Sequence, residues 1–232
     1  MKKQYVWVFG ILLTIFASAC KKDNAAPQTN IKLVHMSANA PTVDLSINNA
    51  LFIGNISYPS STSYRSTDAG NIALKIGPTG TTTAVANISG NFLANKFYSI
   101  YVFDSLASLK YSVMEDDKTV PPAGKTFVRF LHLGTSQGPV DIIKAGGPVK
   151  LFTNRSFNDH STNTALTAYT SIDPGPFSAS AIVAGSVNTL VTQLPSFNAT
   201  AGKSYTLVLR GFKNATPLSA QVLFLSPIDD TP

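Results

Sequence analysis

Apolar and polar residues alternate along much of the chain. Val43, Leu45 and Ile47 are separated by Asp44 and Ser46, and Ile72, Leu74 and Ile76 by Ala73 and Lys75. A period of two puts successive side chains on opposite faces of an extended backbone, so both segments predict half-buried strands. Residues 98–103 and 205–209 are short runs of aromatic, aliphatic and β-branched residues of strand length. Residues 109–114 follow the first run and 218–225 the second, which predicts two antiparallel hairpins, each closing a sheet. Gly77-Pro78, Gly90-Asn91, Gly146-Gly147-Pro148 and Gly202-Lys203 punctuate the pattern. No stretch combines a helical apolar period with helix caps. Many short strands must bury their apolar faces on a second sheet, and a β-sandwich is the economical solution.

A different pattern opens the chain. Lys2 and Lys3 precede an apolar run over 5–16, followed by Ala17, Ser18, Ala19 and the single cysteine, Cys20. That order is the order of a secretory signal, residues 1–19. The run is shorter than the roughly 20 residues a membrane-spanning helix needs. A thiol directly after two small residues suits thioether attachment of a diacylglycerol, and the arrangement resembles a bacterial lipoprotein signal. The expectation is an acylated Cys20 with membrane lipid as its partner, in the bacterial cell envelope and specifically the outer membrane. Durable anchoring takes two or more acyl chains, at about 0.8 kcal/mol per buried CH₂. Residues 20–30 are polar and aperiodic, a tether.

Two stretches of the remaining chain begin alike. His35 and Asp44 are nine residues apart, as are His132 and Asp141; each Asp follows a Val, at Val43 and Val140, with Pro41 or Pro139 just upstream. Leu51-Phe52 finds its echo in Leu151-Phe152, and Lys96-x-Tyr98 in Lys203-x-Tyr205. These coincidences predict an internal duplication. The two His are 97 positions apart and the two Lys 107, so the second copy carries extra residues, expected within 158–196. The resulting fold class is all-β: two tandem antiparallel, immunoglobulin-like β-sandwich domains, 31–117 and 126–228, joined by a Pro-stiffened linker at 118–125.

Composition narrows the function classes. The chain has 232 residues, 44% hydrophobic and 13% charged, with a formal net charge of +6. It is neither a disordered tail nor a disulfide-stapled miniprotein, and the thinly spread charge offers nothing for nucleic acid. Stability is expected from aliphatic and Phe packing, at about 25 cal/mol per Å² buried, with charges contributing little.

Candidate chemistry is sparse. His35 with Asp44, and His132 with Asp141, are the pairs able to orient an imidazole, with Ser37 nearby; Gly134 stands at the second serine position, and no nucleophile elbow surrounds Ser37. The same His and Asp suit strand-end structural roles, which is the expectation ahead of ligand contact or catalysis. Three histidines without ligand spacing predict no metal, and Glu115, Asp116, Asp117, Asp229 and Asp230 read as solvated end-of-domain charges rather than a calcium loop. No phosphate loop or dinucleotide fingerprint follows any strand, so no cofactor is expected. Tyr58, Tyr64 and Tyr169 lie in turn-rich segments and are the candidates for exposed stacking contacts, including with sugars, although the segment at 58–65 reads first as a strand connection whose aromatic ends pack inward.

The run Leu33-Val-His-Met-Ser-Ala-Asn-Ala-Pro-Thr-Val-Asp44, with the later Asn95-Lys-Phe-Tyr98 and Ala201-Gly-Lys-Ser-Tyr205, resembles the DUF4397 family of secreted and surface bacterial proteins. The resemblance implies a tandem β-sandwich lipoprotein and no catalytic residue. The expected function is therefore a non-catalytic envelope or surface lipoprotein for adhesion or protein interaction, in contact with a surface protein or a glycan. A carbohydrate-binding accessory protein is the alternative, and a hydrolase with a His-centred site the remote one.

Overall fold

The computed structural model describes residues 26–216 and 219–231. The expected signal at 1–19, Cys20 and the first half of the tether lie outside the described residues. The alternating segments form strands as expected, arranged in four sheets. The first sandwich pairs two of them. Its inner sheet runs β4 (Ser60–Ser61), β1 (Gln28–His35), β8 (Phe97–Phe103), β9 (Lys110–Glu115), with β5 (Arg65–Asp68) also on β1. Its outer sheet runs β3 (Ala50–Ile56), β2 (Val43–Ile47), β6 (Gly70–Pro78), β7 (Ala86–Phe92). Ile31, Leu33, Ile100 and Val102 of the inner sheet meet Val43, Leu45, Ile72, Leu74 and Ile76 of the outer one.

The second sandwich repeats the strand order. Its inner sheet is β13 (Thr170–Ile172), β10 (Thr126–His132), β16 (Ser204–Arg210), β17 (Phe224–Asp229); its outer sheet is β12 (Lys150–Arg155), β11 (Val140–Lys144), β14 (Gly175–Val183), β15 (Leu190–Ala199). Val128, Phe130, Leu207 and Leu209 face Val140, Ile142, Phe177 and Ala181 across its core. Registers match as well: β1 pairs with β8 through Lys32 and Ser99, β10 with β16 through Arg129 and Thr206. Both pairs are parallel, so the inner sheets are mixed rather than purely antiparallel. Between the paired strands the chain makes a full excursion through the outer sheet and returns at the end where it entered.

The two inner sheets also pack on each other. Val34, Met36, Tyr101, Phe103 and Met114 from the first meet Leu131, Leu133, Val208 and Ile228 from the second in a third apolar cluster. The molecule is thus four layers, with β1, β8, β10 and β16 covered on both faces. This is why 98–103 and 205–209 read as nearly continuous apolar runs, broken at Ser99 and Thr206, instead of alternating.

Two expectations need correction. The last strand spans Phe224–Asp229 rather than 218–225, whose first residue lies outside the described set. Phe212 donates its N–H to the Gln221 carbonyl, so the chain after Gly211 forms a loop and the ladder starts only at Arg210 opposite Phe224. The second correction concerns charge. Asp116 and Asp230, read as solvated, are 3% and 1% exposed, and they anchor a buried ionic network between the inner sheets.

Candidate functional site

The seam between the sandwiches holds a buried network of charged and hydroxyl side chains. Lys32 points off β1 away from its own core, and Arg129 does the same from β10; both are 1% exposed. Each crosses to the other sandwich. Lys32 Nζ donates to Asp230 Oδ1 at 2.5 Å, and Arg129 Nη2 donates to Asp116 Oδ1 at 2.5 Å and lies 3.4 Å from Asp230 Oδ2. The remaining carboxylate valences are filled from both sides. Ser99 and Tyr64 donate to Asp116 Oδ2, and Thr206 and Tyr169 to Asp230 Oδ2. Burial alone would raise the Asp230 carboxyl, but Arg129 and Lys32 beside it hold it below the usual carboxylate range. The arrangement is reciprocal: a cation, a hydroxyl, a tyrosine and a carboxylate from each sandwich occupy matching places. Charge-assisted bonds of this kind satisfy groups that would otherwise be costly to bury.

The tyrosines singled out as stacking candidates are consumed here. Tyr64 and Tyr169 are partly buried against Lys32 and Arg129, whose cationic groups lie 4.8 Å and 4.9 Å from the ring centres. Tyr58 accepts from Arg210 Nη1 at 2.5 Å, across the seam at its other end. Lys118, from the expected linker, lies 4.0 Å over the Tyr64 ring and donates to its hydroxyl; burial lowers its amine to about 8. The linker thus begins inside the seam. Among the described tyrosines only Tyr111 is substantially exposed, at 44%.

His35 and Asp44 do not meet through a bond, nor do His132 and Asp141. The His35 ring is wholly buried; its Nδ1 accepts from the Ser37 backbone N–H at 3.3 Å, and Nε2 faces the Pro41 carbonyl at 3.0 Å. His132 repeats this with Gly134 N–H at 3.3 Å and the Gly138 carbonyl at 3.2 Å. These partners assign a neutral ring protonated on Nε2, and burial lowers both imidazoles from their usual range. The nitrogen that a base would use is occupied by backbone, and the Ser37 hydroxyl is buried without a partner. Each ring braces the loop that carries the chain from inner to outer sheet. Gly134 stands at the matching position, where a Cβ would lie 2.8 Å from Leu223 Cδ2 and 3.1 Å from Leu209 Cγ.

The two aspartates clamp outer-sheet turns. Asp44 Oδ1 accepts from the Asn55 N–H and the Thr79 hydroxyl, and Oδ2 from the Gly80 N–H. Asp141 accepts likewise from the Asn154 N–H, the Gly185 N–H and Lys150 Nζ. Asn55 and Asn154 are both left-handed, at φ 60° and 49°, where β3 and β12 bulge against the neighbouring strand. Burial would raise both carboxyls, yet the donors hold them low. Asp44→Ala is expected to cost about 1–2 kcal/mol and to speed amide exchange at Asn55 and Gly80 roughly tenfold, leaving the seam amides unchanged. Exchange rates measured residue by residue check this; unchanged Gly80 protection refutes the clamp.

Sequence reasoning passed over Lys32, Arg129, Ser99 and Thr206. A signal was present: one polar residue interrupts each of the apolar stretches 31–34, 98–103, 127–131 and 205–209, at matching places in the two sandwiches. His160 was also unassigned. It lies in the segment at 156–169 that lengthens the second sandwich, 2% exposed, with Nε2 3.1 Å from Ser112 Oγ of the first. Phe157 from the same segment packs on Phe103 edge to face, ring centres 5.9 Å apart. Among the described residues no group of three His, Cys, Asp or Glu has metal-holding geometry, and no helix is long and apolar enough to cross a membrane.

Comparison with known proteins gives one family. A DUF4397 domain, a domain of unknown function, is found at residues 29–143, running from β1 through the first sandwich and into β11. No curated protein matches the chain. Among solved structures, a streptococcal virulence factor described for alpha-glucan binding shares 12% identity over 78% of this chain and 93% of its own, with a TM-score of 0.26. CBMbc, a family CBM26 module from Eubacterium rectale Amy13K in complex with maltoheptaose, shares 14% over 88% and 98%, with a TM-score of 0.25. Scores this low leave the two without bearing on what this chain binds.

Proposed function

We propose that this chain is a non-catalytic binding protein of the bacterial cell envelope, anchored by lipid on Cys20, in which two copies of one β unit are locked into a single rigid body. The carrying observation is how the chemically capable side chains are spent. The ring nitrogens of His35 and His132, the carboxylates of Asp44 and Asp141, and the four charges of the seam are all engaged in holding loops or joining sheets. Such a scaffold supports a surface that contacts a partner rather than a site that performs a reaction. Placement of Tyr58, Tyr64 and Tyr169 in the seam favours a protein partner over a sugar, because stacking platforms on sugar-binding surfaces need exposed rings.

Detergent phase separation of the expressed chain tests the anchor. Wild type is expected in the detergent phase and Cys20→Ser in the aqueous phase, with equal thermal stability; aqueous wild type, or Cys20→Ser retained with detergent, refutes it. A glycan array probed with the purified chain tests the partner class. No bound glycan at about 10 µM protein is expected, and a saturable glycan signal turns the reading to carbohydrate.

A further inference from the structure

The reciprocal network of the seam is balanced in charge without Lys118. Lys32 and Asp116 come from the first sandwich, Arg129 and Asp230 from the second, so two cations face two carboxylates. Asp116 donates its backbone N–H to the Phe97 carbonyl as Asp230 does to Ser204, which gives the two aspartates equivalent places. Two residues past Asp116 stands Lys118, whereas two residues past Asp230 the sequence has Pro232, which brings no amine. Lys118 therefore adds a third cation to a network already neutral.

The setting of that cation is unlike the others. Among the described residues no carboxylate forms an ion pair with it; Nζ donates to the Tyr64 hydroxyl at 2.7 Å and to the Asp230 backbone carbonyl at 2.5 Å. Tyr64 is shared, with Lys32 Nζ 4.8 Å and Lys118 Nζ 4.0 Å from its ring centre, yet of these two ammonium groups only Lys32 has a carboxylate, that of Asp230. Burial lowers the Lys118 amine to about 8, and the charges of Lys32 and Arg129 push the same way against Asp116 and Asp230. A neutral amine suits the place. It keeps two N–H groups for the two acceptors, and its lone pair takes the direction that the third hydrogen leaves. Lys118 is half-buried and lines an open cavity of about 410 Å³ with Asn95, Phe97, Glu115 and Asp117.

We propose that Lys118 is a modification site, a nucleophilic amine at the mouth of the seam that takes an acyl group from a small activated donor of the thioester or anhydride class. Buried lysines that shed their proton serve as nucleophiles for carbonyl carbon, because the free amine and not the ammonium attacks. The nitrogen lone pair adds to the carbonyl carbon, the new N–C bond replaces the bond to the leaving group, which departs with its electron pair, and the nitrogen proton passes to water. The amide formed is uncharged and retains one N–H, so the seam keeps its two cations against two carboxylates. Acylation thus marks the joint between the sandwiches without unbalancing it. The inference adds a modified residue to a non-catalytic scaffold, and it rests on the seam and not on what the outer surface binds.

Trace acetylation of the intact folded chain with acetic anhydride, from about pH 6.5 to about pH 10 and read peptide by peptide by mass spectrometry, tests it. At about pH 7.5 Lys118 is expected to react at least about fivefold faster than the exposed Lys213, since an ordinary lysine amine is almost wholly protonated there. Its rate is expected to reach half its maximum near pH 8 and then to level off. A rate equal to or below that of Lys213 at about pH 7.5 overturns the proposal. So does a rate that still climbs steeply through about pH 10, which means that the Tyr64 and Phe97 rings and the two carboxylates hold the proton on Nζ. Acetylation of the buried Lys32 as fast as Lys118 overturns it as well, because a seam open enough to expose Lys32 gives Lys118 no setting of its own.

Discussion

Arg129→Ala is expected to destabilise the protein by about 3–5 kcal/mol, a large share of the roughly 5–15 kcal/mol that holds a typical fold. The guanidinium bonds Asp116 and the Thr206 hydroxyl and lies 3.4 Å from Asp230 Oδ2, with no water-exposed route for either carboxylate to recover its hydration. Truncation leaves Asp116 with the Ser99 and Tyr64 hydroxyls alone, so a buried anion stays without its cation. The penalty is that uncompensated charge rather than the intrinsic worth of the pair, since replacing whole buried pairs by apolar residues is often close to neutral. Accordingly, Arg129→Met combined with Asp116→Leu is expected to cost at least about 1.5 kcal/mol less than the sum of the single changes. For a chain of this size Arg129→Ala lowers Tm by about 6–20 °C. Urea denaturation of the four proteins measures the cycle. A single variant within about 1 kcal/mol of wild type, or strict additivity, refutes the seam as the joint of the molecule.

Stability is expected to fall as pH drops from about 6.5 to about 4, before most carboxylates titrate. His160 is the main cause. Burial pushes its imidazole down to about 4, with the opposing pull of Asp159 insufficient to restore it. The unfolded chain takes up a proton near 6.5, while the folded chain resists until about 4, so acid favours unfolding throughout that window. The difference corresponds to about 3 kcal/mol, fully present above pH 6.5 and lost by pH 4. His35 and His132, also lowered by burial, act in the same direction. Asp44, Asp104, Asp141 and Asp230 are held low, so their contributions disappear further into acid. Denaturation at successive pH values is expected to give a slope that His160→Gln reduces by close to one proton's worth. An unchanged slope in that variant shows that His160 titrates in contact with solvent and that the segment at 156–169 is not docked on Ser112.

Much of the fold was legible because its signals are local. Val43, Leu45 and Ile47 sort to one face whatever surrounds them, and Gly and Pro end strands by their own backbone preferences. The repeated His and Asp were legible as landmarks, yet their partners were not. His35 bonds the backbone of its own loop, and Asp44 reaches Gly80, 36 positions away, because β2 and β6 happen to be neighbours. Inward packing of Tyr58 and Tyr64 was legible, as the ends of a strand connection, but what covers them and Tyr169 was not, because the covering surface belongs to the other sandwich or its seam.

The amino-acid order by itself determined the strands, the sandwich class and the matching landmarks of the two halves, since each depends on side-chain periodicity and backbone preference within a few residues. Tertiary structure alone decided that the reverse faces of the two inner sheets meet. Lys32 finds Asp230 across 198 positions, and four charges that look solvated in a string of letters become the buried joint of the molecule. A pairing of that range depends on which faces are covered after folding, and no local pattern of apolar and polar residues encodes it.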